Sequence, residues 1–141
     1  MAAIAFLGAG AMGEALMRGL IGAGVYKPSE IVAFDAGARR LQSVADELQV
    51  GAAASAAEAA AGAAVVVLAV KPQVVAAALA PLRELIEPRQ TVVSIAAGIA
   101  TRQLENCFAH PVPVVRVMPN TPCLVGCAAS AICLGAHAGE P

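Results

Sequence analysis

Apolar and polar positions follow two alternating rhythms along this chain. Ile4-Ala5-Phe6-Leu7 is a short apolar run closed by Gly8, the pattern of a strand buried on both faces. From Ala11 to Ala23 the spacing becomes helical. Met12, Leu16 and Leu20 share one face, while Glu14 and Arg18 stand four apart on the other in the favourable order. Gly24 supplies a stop. Ile31-Val32-Ala33-Phe34 predicts a second strand ended by Asp35, and Leu41, Val44, Ala45 and Leu48 form the apolar face of the next helix. Ser55 with Glu58 three residues later has the form of a capping box opening a short alanine helix. Ala64 to Val70 predicts a strand buried on both faces, with Pro72 in the first turn of a following helix. Thr91 to Ile95 predicts another strand, and Thr101 is expected to cap the helix after it. Val112 to Val117, interrupted by Pro113, and Ala128 to Leu134 predict the last two strands.

Strands alternating with helices at this spacing predict an α/β fold: a doubly wound, mostly parallel sheet with helices on both faces. The 141 residues suit one domain, without solenoid-length repeats or a long linker.

Composition narrows the class. The chain is 59% hydrophobic and 13% charged, which excludes a disordered chain. Ala59 to Val70 is uncharged but too short to span a bilayer, which takes about 20 residues. Val117 to Gly139 is longer but holds Pro119, Asn120, Thr121, Pro122 and Gly126 near its start, poor material for a lipid-facing helix. Met1 to Gly13 is apolar, yet no Lys or Arg precedes it as in a signal peptide. No membrane association and a cytoplasmic location are therefore expected. Nine basic and ten acidic residues, with almost no aromatics, disfavour nucleic-acid binding. Cys107, Cys123, Cys127 and Cys133 include no C-x-x-C pair, and His110 and His137 are isolated, so no metal site is expected. Cys123 and Cys127 have a spacing open to a redox pair, against which small buried thiols are the simpler reading.

Gly8-Ala9-Gly10-Ala11-Met12-Gly13 is a full G-x-G-x-x-G between a predicted strand and helix, the context that makes it informative. The first glycine permits a tight turn, the second lets backbone approach a pyrophosphate, and the third lets the helix pack on the strand. The motif points to a Rossmann-type dinucleotide site, with phosphates at the helix N-terminus. Asp35 ends the second strand about 20 residues on, where a carboxylate accepts from ribose hydroxyls and repels a 2′-phosphate. Two readings of Arg39 and Arg40 stand side by side: they grip a 2′-phosphate, or they are a solvated helix face. NAD and NADP both stay open. Lys71, at the carboxyl end of the valine strand, is placed to donate to ribose or phosphate, or is a surface lysine. Ala96-Ala97-Gly98 follows the next strand at the same edge, small enough for a flat nicotinamide ring to approach, and also suits a tight turn. In Arg116-Val117-Met118-Pro119-Asn120-Thr121-Pro122 two prolines bracket Asn120 and Thr121 and limit their backbone freedom.

Taken together, Phe6 to Gly13, Leu68-Ala69-Val70-Lys71-Pro72-Gln73, Val93 to Gly98 and Arg116 to Pro122 resemble the pyrroline-5-carboxylate reductase family through nearly the whole chain. The resemblance implies NAD(P)H-dependent reduction of the cyclic imine pyrroline-5-carboxylate to L-proline. By position, Leu7, Gly8, Ala9, Gly10, Ala11, Met12 and Gly13 would cradle the pyrophosphate. Ala69, Val70, Lys71 and Pro72, with Ala96, Ala97 and Gly98, would contact ribose and nicotinamide, and Asn120 would line the reaction site. Three positions depart from the family pattern. Asp35 stands where relatives often carry a small polar residue, Ala56 replaces a cofactor-holding asparagine, and Ala128 replaces a glycine after Val125-Gly126.

The resemblance further implies that residues 1–141 are the dinucleotide-binding domain, without the helical C-terminal domain that dimerises and completes the substrate site. A homo-oligomer is then expected for the full-length protein, with catalytic groups mainly in the missing part, and a larger exposed apolar patch than a free monomer carries. No side chain here is a candidate general acid, and His110, next to Pro111, is read as structural. A related dehydrogenase, or a non-catalytic NAD(P)-binding module or sensor, are the alternatives.

Overall fold

The structure, a computed structural model, describes residues 2–120 and 129–139. Its strands are β1 (Ile4–Leu7), β2 (Ile31–Phe34), β3 (Gly51–Ala52), β4 (Val65–Leu68), β5 (Thr91–Ser94), β6 (Val114–Pro119) and β7 (Ser130–Leu134). They form one sheet in the order β3-β2-β1-β4-β5-β6-β7. All neighbours are parallel except β6 and β7, which run antiparallel. The helices are α1 (Ala11–Gly22), α2 (Ala38–Leu48), α3 (Ala56–Ala60), α4 (Val75–Leu79) and α5 (Thr101–Glu105).

The apolar runs become central strands because both faces are covered. Side chains alternate across a strand, so β1 sends Ile4 and Phe6 to one layer and Ala5 and Leu7 to the other. Ile4 and Phe6 pack with Met17 of α1 and with Leu41, Val44 and Leu48 of α2. Ala5 and Leu7 pack with the alanines of α3 and with Val75 and Leu79 of α4. Residues 53–63 contribute Ala53, Ala56, Ala59, Ala60 and Ala63 to this layer, which lets the short helix lie close to the sheet. The alanine-rich stretch is therefore a packing surface.

Several expectations shift. In α1 the fully buried residues are Gly13 and Met17; Leu16 and Leu20 of the expected face are half-buried and pack against the same core, whereas Met12 does not. Gly13 has no side chain, so the first turn presses on the glycine loop and turns Met17, one turn on, toward the sheet. Strand β3 has no apolar pattern to announce it, yet Gly51 and Ala52 extend the ladder along Val32 and Ala33. Ala69 and Val70 leave β4 early and line a cavity instead. Pro72 opens a single 3₁₀ turn before α4, and a second turn at Ala80–Leu82, containing Pro81, ends it. Thr101 is the first helical residue of α5, not its cap. The preceding Ala100 N–H donates to Gln103 Oε1 at 2.9 Å. Ser55 does cap α3, its Oγ accepting from Glu58 N–H at 3.1 Å, but the Glu58 carboxylate reaches back to Ala54 N–H and not to Ser55. Pro113 falls before β6, where its carbonyl accepts from Val92 N–H at 2.9 Å.

Strand β7 is exposed at every residue. Ile132 is 68% and Leu134 45% exposed, on the same face as their partners Val117 and Val115. Among the described residues no helix is long and apolar enough to cross a membrane.

One buried polar side chain joins the α3–β4 turn to the approach of β5. Gln90 donates from Nε2 to the Ala60 and Ala63 carbonyls at 3.0 and 2.7 Å, and its Oε1 accepts from Glu87 N–H at 3.0 Å. Replacement by leucine keeps the volume but leaves the Ala63 carbonyl without this donor. Gln90→Leu is expected to lower unfolding free energy by about 1–3 kcal/mol, read from urea melts.

Candidate functional site

Strand β1 lies between β2 and β4, so connections leave it in both directions and a crevice opens at the carboxyl edge of the sheet. A cavity of about 470 Å³ occupies that place, within the usual size for a small-molecule site. Leu7, Gly8 and Gly10 form its floor, Asp35 one side, and Ala69 to Lys71 the other.

The three glycines divide into two kinds. Gly8 has φ +110°, and a Cβ there would stand 2.5 Å from the Ala69 carbonyl oxygen. At Gly13 a Cβ would collide with the Gly8 carbonyl oxygen. These two are required by the fold. Gly10 has φ −66°, and a Cβ there would meet nothing within 4 Å. The protein alone does not need this glycine; the open space above it does. Gly10 is also the N-cap of α1 and has no side chain to cap the first-turn N–H groups, which leaves them available to an anion.

Between these glycines Ala9 is held through both of its backbone polar groups. Asp35 Oδ2 accepts from Ala9 N–H at 2.7 Å, and Arg40 Nε donates to the Ala9 carbonyl at 2.7 Å. Asp35 Oδ1 accepts from Gly37 N–H at 2.8 Å. Arg40 also pairs with Glu14 in the first turn of α1. Glu14 in turn takes Arg18 at 2.8 Å, and Arg18 reaches Glu47 of α2 at 2.5 Å. Hydrogen bonding from Arg18 does most to hold the Glu14 carboxyl below its ordinary value; Arg40 adds to this, and partial burial opposes it. A carboxylate beside an anion site is thus neutralised by two guanidiniums.

The structure gathers Leu7, Gly8, Gly10, Asp35, Ala69, Val70 and Lys71 around one cavity. Ala9 is fully buried beneath it, and Ala11, Met12 and Gly13 form the first turn of α1. Pro72 follows Lys71 directly. Ala96, Ala97 and Gly98 follow β5 at the same edge but outside the cavity. Asn120 directly follows β6, also outside, with Oδ1 accepting from Ala129 N–H at 3.1 Å. Thr121, Pro122, Cys123, Val125, Gly126, Cys127 and Ala128 lie outside the described residues. Sequence reasoning missed Phe34, Ala36, Val74, Ala77 and Ala78, which complete the apolar wall. The run Val74 to Ala78 has no polar face, and its outer residues Val74, Ala76 and Ala77 are exposed.

His110 lines a separate concavity beside α5 with Glu105 and His137. No group of three metal-ligating side chains occurs among the described residues. Cys107 and Cys133 are free thiols.

A dinucleotide fits these features. The open space at Gly10 and the uncapped turn of α1 suit a pyrophosphate, the Asp35 carboxylate a ribose hydroxyl, and the wall of Val74, Ala77 and Ala78 a flat apolar ring.

Comparison with known proteins agrees with this fit. Residues 3–98 match the model of a family described as NADP oxidoreductase, coenzyme F420-dependent. Pyrroline-5-carboxylate reductase from Pseudomonas aeruginosa is 45% identical over 129 residues, 92% of this chain and 47% of that protein. The structure of a pyrroline-5-carboxylate reductase from Coxiella burnetii superposes with a TM-score of 0.92 at 30% identity, covering 99% of this chain and 52% of that one. That of Plasmodium falciparum pyrroline carboxylate reductase with NADP bound gives 0.81 at 26% identity, covering 97% and 49%. The chain spans about half the length of the curated relatives it matches.

Two outcomes follow for this site. Gly10→Ala is expected to change unfolding free energy by less than about 1 kcal/mol while weakening reduced-dinucleotide binding roughly tenfold or more; Gly8→Ala and Gly13→Ala are expected to cost about 3 kcal/mol or more in urea melts. The depressed Glu14 carboxyl contributes stability that is present above its unfolded value and lost as pH falls through its folded one. The stability gap between wild type and Glu14→Gln should therefore close on acidification through that range, as followed by thermal melts.

Proposed function

This chain belongs to the family described as NADP oxidoreductase, coenzyme F420-dependent, and we propose that it is the cofactor-binding part of a pyrroline-5-carboxylate reductase. The observation that carries the reading is the cavity at the glycine loop. Its one glycine free of steric need, Gly10, faces open space beside an uncapped helix start. Identity of 45% to the Pseudomonas aeruginosa enzyme, over nearly all of this chain, supports the substrate.

When bound, the nicotinamide cofactor supplies the hydride that reduction of a cyclic imine to L-proline consumes. The residues of this chain hold and orient. The first-turn N–H groups of Ala11, Met12 and Gly13 receive the pyrophosphate, with Leu7 to Gly10 beneath it. Asp35 accepts from the adenosine ribose, and Lys71 donates to ribose or phosphate oxygens from the opposite wall. Val70 and Pro72 set the position of Lys71, and Ala69 closes the floor against Gly8. Ala96, Ala97 and Gly98 keep the edge beyond β5 low enough for a ring to lie on it, the Gly98 backbone turning with φ +73°. Asn120 stands at the same sheet edge, where it lines the reaction site. Fixing the reactants in this way is the protein's main contribution to such a reaction.

The substrate's remaining contacts, and assembly into a homo-oligomer, belong to the half of the relatives' length that this chain does not span. The exposed apolar face of β6 and β7 is suited to such a neighbour. A cytoplasmic setting fits the free thiols of Cys107 and Cys133.

The test joins this chain to the complementary half of the Pseudomonas aeruginosa enzyme. The chimera is expected to oxidise reduced cofactor only when pyrroline-5-carboxylate is supplied, whereas this chain alone binds cofactor with little or no turnover. A folded chimera that binds cofactor and oxidises none of it with substrate, while the parent enzyme does, would falsify the reading.

A further inference from the structure

Resting on the reading of the cavity as a dinucleotide site, we propose that the clamp on Ala9 makes this site select NADH over NADPH. Asp35 is the discriminating residue, and Arg40 is a positioning residue that holds the glycine loop and does not serve as a phosphate ligand.

The two dinucleotides differ by one 2′-phosphate, a group of nearly two negative charges. Accepting it takes a cation with free donors beside the adenosine ribose. Sequence alone offers Arg39 and Arg40 for that purpose. In the structure Arg40 is committed. Its Nε donates to the Ala9 carbonyl at 2.7 Å, one of its two terminal nitrogens is paired with Glu14, and held in this way it does not line the cavity. Turning Arg40 toward a phosphate would break both bonds. It would also release the Ala9 carbonyl and leave Glu14 with only Arg18 beside the anion site. Arg39 is exposed and does not line the cavity. Lys71 lines it, but from the end of β4, on the far side of the glycine loop from β2 and Asp35.

Asp35 is held as firmly. Each carboxylate oxygen accepts one backbone N–H, Ala9 at 2.7 Å and Gly37 at 2.8 Å, so the group cannot swing aside. A carboxylate has about four lone-pair sites and only accepts. Two remain after these bonds, enough for ribose hydroxyls, while a phosphate meets a fixed negative charge. At contact distance this repulsion is worth on the order of tenfold in affinity even with water-like screening. The clamp explains why the two charges coexist: Asp35 and Arg40 grip the two peptide groups on either side of the Ala9 Cα and set the height of the loop on which the pyrophosphate rests. The inference runs against the NADP in the family's description and in the Plasmodium falciparum structure, whose chain shares only 26% identity.

The experiment titrates NADH and NADPH separately into the folded chain, read by the fluorescence of the reduced nicotinamide. Wild type is expected to bind NADH roughly tenfold or more tighter. Asp35→Ser should shrink or reverse that ratio, and the isosteric Asp35→Asn should move it the same way if the serine variant does not fold. Arg40→Gln should weaken both dinucleotides by a similar factor and leave their ratio in place. Arg40→Lys, which keeps the charge but not the two-acceptor fork, should recover only part of the loss. NADPH binding as tightly as NADH to wild type, or an unchanged ratio in the Asp35 variants, overturns the selectivity. A loss confined to NADPH in Arg40→Gln makes Arg40 a phosphate ligand and overturns its positioning role. If neither dinucleotide binds the folded chain, the dinucleotide-site reading itself fails and takes this inference with it.

Discussion

The whole arrangement depends on how closely the turn after β1 passes over β4. Gly8 adopts a conformation that a side chain would resist, and its Cα faces the Ala69 carbonyl with no room for a methyl group. That approach brings α1 down onto the sheet, where Gly13 sits against the Gly8 carbonyl for the same reason. The first turn of α1 is thereby aimed across the crevice between β1 and β4. Move the turn outward by the width of a methyl group and the helix start, the floor at Leu7 and the wall at Ala69 separate. The cavity is a consequence of two missing side chains in the protein and one more, at Gly10, reserved for the ligand.

Charge is arranged around the same turn. The loop carries no charged side chain of its own, so it borrows them from β2 and α2. Asp35 and Arg40 hold the Ala9 peptide, and Glu14 links Arg40 to Arg18 and on to Glu47. Apart from the half-buried Glu14 and Asp35 these groups are exposed, and the pairs between them add little to stability individually. Their value is geometric: they join α1, α2 and the glycine loop into one unit at the place where a small displacement matters most.

Much of this was legible in the sequence, and the reasons differ by residue. Glycine at 8, 10 and 13 between a strand and a helix has few other uses, and Ala64 to Val70 reads as a strand because its apolar run is short and valine-rich, the ladder itself holding Val65 to Leu68. Periodicity finds Leu16 and Leu20 on the packing face of α1 but passes over its centre, because it counts large side chains and the helix is seated by Gly13, which has none. Strand β3 was invisible because its two residues are held by backbone pairing alone. Arg40 was the hardest to place. Its sequence position suits a ligand or a solvated helix face, and nothing in the sequence points to the Ala9 carbonyl that it holds in the structure. Val74, Ala77 and Ala78 were overlooked because a small apolar residue carries no chemistry until a cavity gives it a side to face.

The position of β1 has a kinetic meaning. It is the first strand in the chain and lies near the middle of the sheet, paired with both β2 and β4. During synthesis it can meet β2 early, but its other edge stays open until β4 has been made. At about 5–20 residues per second that interval lasts seconds, far longer than the microseconds in which a hairpin closes. Through that time Ile4 to Leu7 offers an unpaired apolar edge. The order of strands that builds the crevice thus also sets a window during synthesis in which α1 and α2 can cover the Ile4 and Phe6 face while the edge meant for β4 stays unpaired.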